Sequence, residues 1–90
     1  MADGEVVSLQ EFPCLYTFKI FGRQSDTFVD RVREIVSGHL GTVPLDCTNV
    51  RESNGGRYLS VTIEIQVRSR ELLKLVYEDL HGEEEVLFCI

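Results

Sequence analysis

The sequence predicts an α+β fold, a four-stranded antiparallel sheet with two helices on one face. Three observations predict it. From Tyr58 to Arg68 the chain alternates: Leu59, Val61, Ile63, Ile65 and Val67 are apolar, and Tyr58, Ser60, Thr62, Glu64, Gln66 and Arg68 stand between them. That period of two marks a strand with one buried and one wet face. Asn54-Gly55-Gly56 lies just before this run, and such residues reach positive φ cheaply, so the strand is the second arm of a hairpin. Two segments with apolar residues at helical spacing, Phe28 to Val36 and Leu72 to Leu80, flank the hairpin.

Residues 1–11 are acidic and weakly patterned, and a mobile tail is expected there; residues 12–90 then form a single domain. A first strand runs from about Cys14 to Phe21, with Pro13 before it, where a missing N–H costs least. Tyr16, Phe18 and Ile20 share one face, and Thr17, Lys19 and Phe21 share the other. Phe12 is placed to pack back as an anchor. Gly22 to Asp26 reads as a loop, with Ser25 or Asp26 as N-cap of the first helix. Phe28, Val29, Val32, Ile35 and Val36 form that helix's apolar stripe, and Ser37 to Gly41 ends it.

A second strand is expected over Leu45 to Glu52, with the weak alternation of an edge or bulged strand. After the hairpin, Ser69 caps a second helix with Glu71 in its first turn and Leu72, Leu73, Val76, Tyr77 and Leu80 on its apolar side. Lys74 and Glu78 stand at i,i+4 spacing. Gly82 ends the helix, Glu83-Glu84-Glu85 makes a charged turn, and Val86 to Ile90 is a last strand. The order is β-α-β-β-α-β. Two right-handed crossovers of this kind give the ferredoxin-like sandwich, with the first and third strands central and one sheet face uncovered.

Composition narrows the function. The chain has 90 residues and a formal net charge of -6, which argues against a nucleic-acid binder working through bulk positive charge. No apolar run approaches the roughly 20 residues of a membrane helix, and the acidic start is unlike a secretory signal. A cytoplasmic protein is expected. Cys14, Cys47 and Cys89 are odd in number and far apart, and neither they nor His39 and His81 have zinc-site spacing. No metal site or cofactor is expected, and each Cys reads as a small hydrophobe. His39 and His81 fall at helix ends, where an imidazole can serve the last carbonyls. No nucleophile, base and orienting group can be assembled, so the chain reads as a non-enzyme.

Several segments resemble one family. Phe12-Pro13 with Tyr16 to Gly22 is similar to its first-strand signature, and Ile35-Val36 followed by His39 to its first-helix ending. Ser53, Gly56, Tyr58, Ser60 and Val61 match its S-x-x-G-x-Y-x-S-V hairpin, and Ser69-Arg70-Glu71-Leu72, Tyr77, Leu80 and Val86 to Ile90 follow in order. Over roughly residues 11–90 the chain resembles the YbeD-like family of small bacterial proteins of unknown function. Leu40-Gly41 departs from the pattern, where relatives often carry Pro. The resemblance implies a ferredoxin-like fold close to the ACT regulatory domains, and no established activity.

Two candidate surfaces follow. The open sheet face carries Lys19, Phe21, Tyr58, Ser60, Thr62, Glu64 and Arg68. An uncovered face that mixes aromatics with polar groups is expected to meet a protein partner or a second copy, as a regulatory or interaction module does. The second is the loop Gly22, Arg23, Gln24 and Ser25 at a helix start, where free N–H groups suit an anion. The resemblance to ACT domains implies a small-molecule effector at that loop. RNA binding ranks third. Gly56 to Val61 echoes an RNA-recognition motif, but such domains use more than one open-face aromatic in a basic surround.

Overall fold

The computed structural model describes residues 11–90. The acidic tail expected over residues 1–11 lies, except for Glu11, outside the described residues. Strand β1 spans Cys14–Arg23 and helix α1 Phe28–Leu40. A 3-10 turn over Leu45–Cys47 leads into β2, Thr48–Glu52. Then come β3 at Tyr58–Val67, α2 at Arg70–His81 and β4 at Val86–Cys89. The sheet order is β2-β3-β1-β4, with every neighbouring pair antiparallel. The ferredoxin-like topology is therefore realised, with β1 and β3 central.

The alternation read in β3 is the alternation of burial. Leu59, Val61, Ile63 and Val67 are buried beneath the helices, facing Val32 and Val36 of α1 and Val76 and Leu80 of α2. Ile65, Ile35 and Leu72, expected in the same core, are only partly buried at its margin. From β1, Phe18 and Ile20 enter the core fully, and Tyr16 reaches Tyr77 across the layers with hydroxyl oxygens 3.1 Å apart. Phe12 packs against the cluster, with the Arg70 guanidinium 5.4 Å over its ring.

The hairpin turns where Asn54-Gly55-Gly56 indicated. Gly56 has φ 69°, a left-handed value that costs a glycine little, and its N–H donates to the Ser53 carbonyl at 2.9 Å. The Ser53 hydroxyl accepts from the Tyr58 N–H at 3.2 Å and closes the turn. Ser69 caps α2 as expected, its side chain accepting from the Leu72 N–H.

Four local expectations are corrected. The first part of the expected second strand, Leu45–Cys47, is a 3-10 turn, and pairing with β3 starts at Thr48. Thr27, not Ser25 or Asp26, is the N-cap of α1 and makes no side-chain capping bond. His39 turns away from the carbonyls of its own helix, and its Nε2 lies 2.5 Å from Asp79 Oδ2 on α2, tying the helices together. Among the described residues the ion pairs are this one, Arg31–Glu34 and Arg31–Glu83; none joins Lys74 to Glu78.

Candidate functional site: the open sheet face

Pairing registers place side chains on the open face in rows. One row crosses all four strands: Arg51 of β2 opposes Ser60 of β3, Ser60 opposes Phe21 of β1, and Phe21 opposes Phe88 of β4. Phe21 and Phe88 stack with ring centroids 4.5 Å apart and planes 16° apart. Phe88 remains 53% exposed although it stands in regular sheet. In the next row, Asn49, Thr62 and Lys19 are paired, and Lys19 exchanges backbone hydrogen bonds with Ile90 at 3.0 and 2.8 Å. Ile90 is 64% exposed. Tyr58 begins β3 opposite Arg23 and is 47% exposed.

The predicted set divides. Phe21, Ser60, Lys19, Thr62 and Tyr58 gather at the hairpin end of the face. Glu64 pairs with Thr17, four residues along β1 from Phe21, which is about 13 Å away at strand rise. Arg68 lies beyond the end of β3 and outside the paired ladder, farther still from the aromatic row.

Phe88 and Arg51 were missed by sequence reasoning, and Arg23, expected in the loop at the helix start, stands instead on the open face opposite Tyr58. Val86 to Ile90 is apolar at every position, so no alternation reveals which residues face out. The register also shifts: Phe21 pairs with Phe88 but Gly22 with Val86, leaving Leu87 as the extra residue of a bulge.

Two shallow depressions flank Tyr58. One is lined by Phe21, Arg51, Ser53, Tyr58 and Ser60. The other is lined by Arg23, Gln24, Gly56, Arg57 and Tyr58. Lys19, Arg23, Arg51 and Arg57 are all exposed. Among the described residues, none of the four joins a carboxylate in an ion pair.

The second predicted surface is built differently from an open loop. Gly22 is the buried penultimate residue of β1, packed on Phe28, and Arg23 ends the strand. The Gln24 N–H donates to the Arg57 carbonyl at 2.8 Å and its side-chain amide to Glu52 at 3.2 Å. Ser25 and Thr27 both donate hydroxyl hydrogen bonds to the Glu85 carboxylate, at 3.4 and 2.7 Å. A protein carboxylate thus stands where an anionic ligand would approach the helix start.

Cys14, Cys47 and Cys89 form no disulfide with one another, and all three are half-buried. Burial raises the pKa of Cys89, which packs against the core. Among the described residues, no group of three or more His, Cys, Asp and Glu could hold a metal ion. No helix among them is long and apolar enough to cross a membrane.

Comparison with known proteins agrees with this architecture. The model of a family described as "Protein of unknown function (DUF493)" matches residues 7–90. The chain belongs to this family. A UPF0250 protein of Shewanella sediminis is 38% identical over 87 residues, covering 96% of each chain. A UPF0250 protein of Chromobacterium violaceum is 37% identical over 82 residues, covering 91% of each. The YbeD-like resemblance thus holds, and with it membership among small bacterial proteins of unknown function. The solution structure of protein HP0495 from H. pylori superposes with a TM-score of 0.68 at 13% identity, over 90% of this chain and 85% of that one. At that identity the likeness concerns the fold shared by the DUF493 chain and HP0495.

Proposed function

We propose that this chain is a non-enzymatic interaction module that docks a partner macromolecule on the open face of its sheet. The observation that carries the reading is the half-buried Phe21 stacked on the exposed Phe88, continued by exposed Tyr58 and Ile90, on a face that no element covers among the described residues. Aromatic side chains seated in a partner commonly dominate binding energy, with charged neighbours setting orientation and rate. The exposed cations at this end call for a partner that presents a flat or apolar group beside negative charge. A protein or a second copy of this chain, as the sequence suggested, meets that description when it carries acidic residues around an apolar anchor.

The test is a Phe88→Ser, Tyr58→Ser double variant. Both rings are about half exposed, so the far-UV spectrum should match wild type. Losing the ring stack, worth about 0.5–1.5 kcal/mol, lowers Tm by no more than about 12 °C. The variant should lose whatever the wild-type protein captures from cell extract. Capture of the same components by the folded variant would refute the open face as the docking surface.

A further inference from the structure

We infer that the slot between Phe21 and Arg51 takes a base of single-stranded RNA, with the strand's phosphates carried by Arg23, Arg51 and Arg57. This rests on the open face being the docking surface and names the chemistry of its occupant.

Ring geometry comes first. Phe21 stacks on Phe88 along the direction that crosses the strands. One face of the Phe21 ring is therefore covered by Phe88, and the opposite face looks toward β3 and β2. There the row continues with Ser60, a small floor, and then Arg51. Neighbouring strands lie about 4.8 Å apart, so Phe21 and Arg51 stand on backbones about 10 Å apart. A flat ring between two planar groups needs about 7 Å, twice the contact distance of about 3.5 Å. That spacing leaves room for one base between the Phe21 ring and the Arg51 side chain. Bases splayed out of single-stranded RNA stack on just these two kinds of group. Tyr58 closes the slot at the hairpin end and borders the second depression, offering a ring to a neighbouring base.

Charge comes second. The chain carries -6 overall and has nine Lys and Arg residues. On the helical side, Arg31 is taken up by Glu34 and Glu83, and Arg33 donates to the Val43 carbonyl. Four of the other cations, Lys19, Arg23, Arg51 and Arg57, surround the aromatic row. Glu52 also borders the slot, but it shares its register with core-facing Leu59, and its carboxylate accepts from Gln24. The acidic net charge thus belongs mostly to the rest of the molecule. Phe88 adds a third aromatic to Phe21 and Tyr58, and Lys19, Arg23, Arg51 and Arg57 gather at the same end of the sheet, with Glu84 and Glu85 bordering Arg23 on its far side. An acidic protein would satisfy the charges, but a gap with a phenyl face on one side and an arginine side chain on the other favours a flat heteroaromatic ring.

The experiment is fluorescence anisotropy of the full chain with labelled single-stranded RNA of about eight nucleotides, a typical span for such platforms. Controls are a duplex of the same sequence, free mononucleotides, and an acidic glutamate–tyrosine copolymer. Single strands should bind with a log–log salt slope of about -2, the value for three phosphate contacts on single-stranded RNA. Phe21→Ser should weaken binding about 5- to 150-fold. Arg51→Glu lies on an exposed edge strand and keeps the fold. It should weaken binding and flatten the salt slope by about 0.7, the share of one phosphate contact on a single strand. Duplex and mononucleotides should bind at least about tenfold more weakly than the strand. Equal binding by wild type and a folded Arg51→Glu variant would overturn the inference, as would preference for the copolymer, for mononucleotides or for duplex. If RNA fails to bind while the Phe88→Ser, Tyr58→Ser variant still loses protein partners, the docking surface stands and its occupant is a protein. If that variant also keeps those partners, both readings fall.

Discussion

Gly22→Ala is the sharpest test of how this fold is assembled. A Cβ at Gly22 would stand 2.2 Å from Phe28 Cε1, 2.5 Å from Phe28 Cζ and 2.4 Å from the main-chain oxygen of Glu85. Carbon atoms pack best at about 3.5–4.0 Å, so the added methyl overlaps its neighbours by more than about 1 Å on two sides. Phe28 is fully buried and cannot swing into solvent. The Glu85 oxygen belongs to backbone whose position is tied to the start of β4. Overpacking usually costs 1–3 kcal/mol, and with two rigid neighbours this substitution should cost about 3 kcal/mol or slightly more. A domain of this size loses about 4–8 °C per kcal/mol, so Tm should fall by about 12–24 °C. Gly38→Ala is the control. It lies inside α1 with nothing within 4 Å of its added Cβ, and it should gain about 0.5–1 kcal/mol from reduced chain entropy. Calorimetry of both variants, with Gly22→Ala also placed in a Phe28→Leu background, reads the result. Partial recovery in that background would show that the ring is the obstacle. A Gly22→Ala protein melting within about 3 °C of wild type would refute the packing at the junction of β1 and α1.

Two further outcomes follow from the core. Ile63→Ala, at a fully buried site under both helices, should cost roughly 2–5 kcal/mol in denaturant unfolding; a loss below about 1 kcal/mol would contradict the β3 register. Burial, then the hydrogen bond to Tyr16, holds the Tyr77 hydroxyl well above the usual tyrosine pKa. Its folded value exceeds its unfolded value of about 10, so this contribution to stability is complete below pH 10 and lost as pH rises above it. Tyr77→Phe should therefore lose less stability than wild type between neutral and strongly alkaline pH, measured as Tm against pH. Parallel curves would contradict the assignment.

What was legible in the sequence followed from periodicity and turn chemistry. The alternation of β3 fixed its buried face, Asn54-Gly55-Gly56 fixed the hairpin, and Ser69 fixed the start of α2. Local pattern could not supply cross-strand register. Phe21 and Tyr58 were readable as outward-facing because their strands alternate. Phe88 was hidden in an all-apolar run whose register shifts at a bulge. Arg51 sits on an edge strand with weak alternation, and its place beside Phe21 exists only through Ser60 between them. Gly22 looked like a loop glycine because glycine usually signals a turn. Its actual reason is the Phe28 ring, which sequence spacing alone does not place against it.

The strand order has a kinetic consequence. β2 and β3 are joined by a tight turn and can pair locally. β1 can gain hydrogen bonds only from β3, from Cys14 with Val67 to Arg23 with Tyr58, and from β4 at the opposite end of the sequence. The Glu85 contact that meets the start of α1 spans 58 residues to Thr27. Every partner of β1 thus requires a large loop to close before any contact rewards it, and folding rates fall as such separations grow. The hairpin and α2 can serve as the early scaffold, with β1 arriving late. Until it arrives, Phe18 and Ile20 remain uncovered, and the folding chain carries its most aggregation-prone segment in the strand that ends at the centre of the sheet.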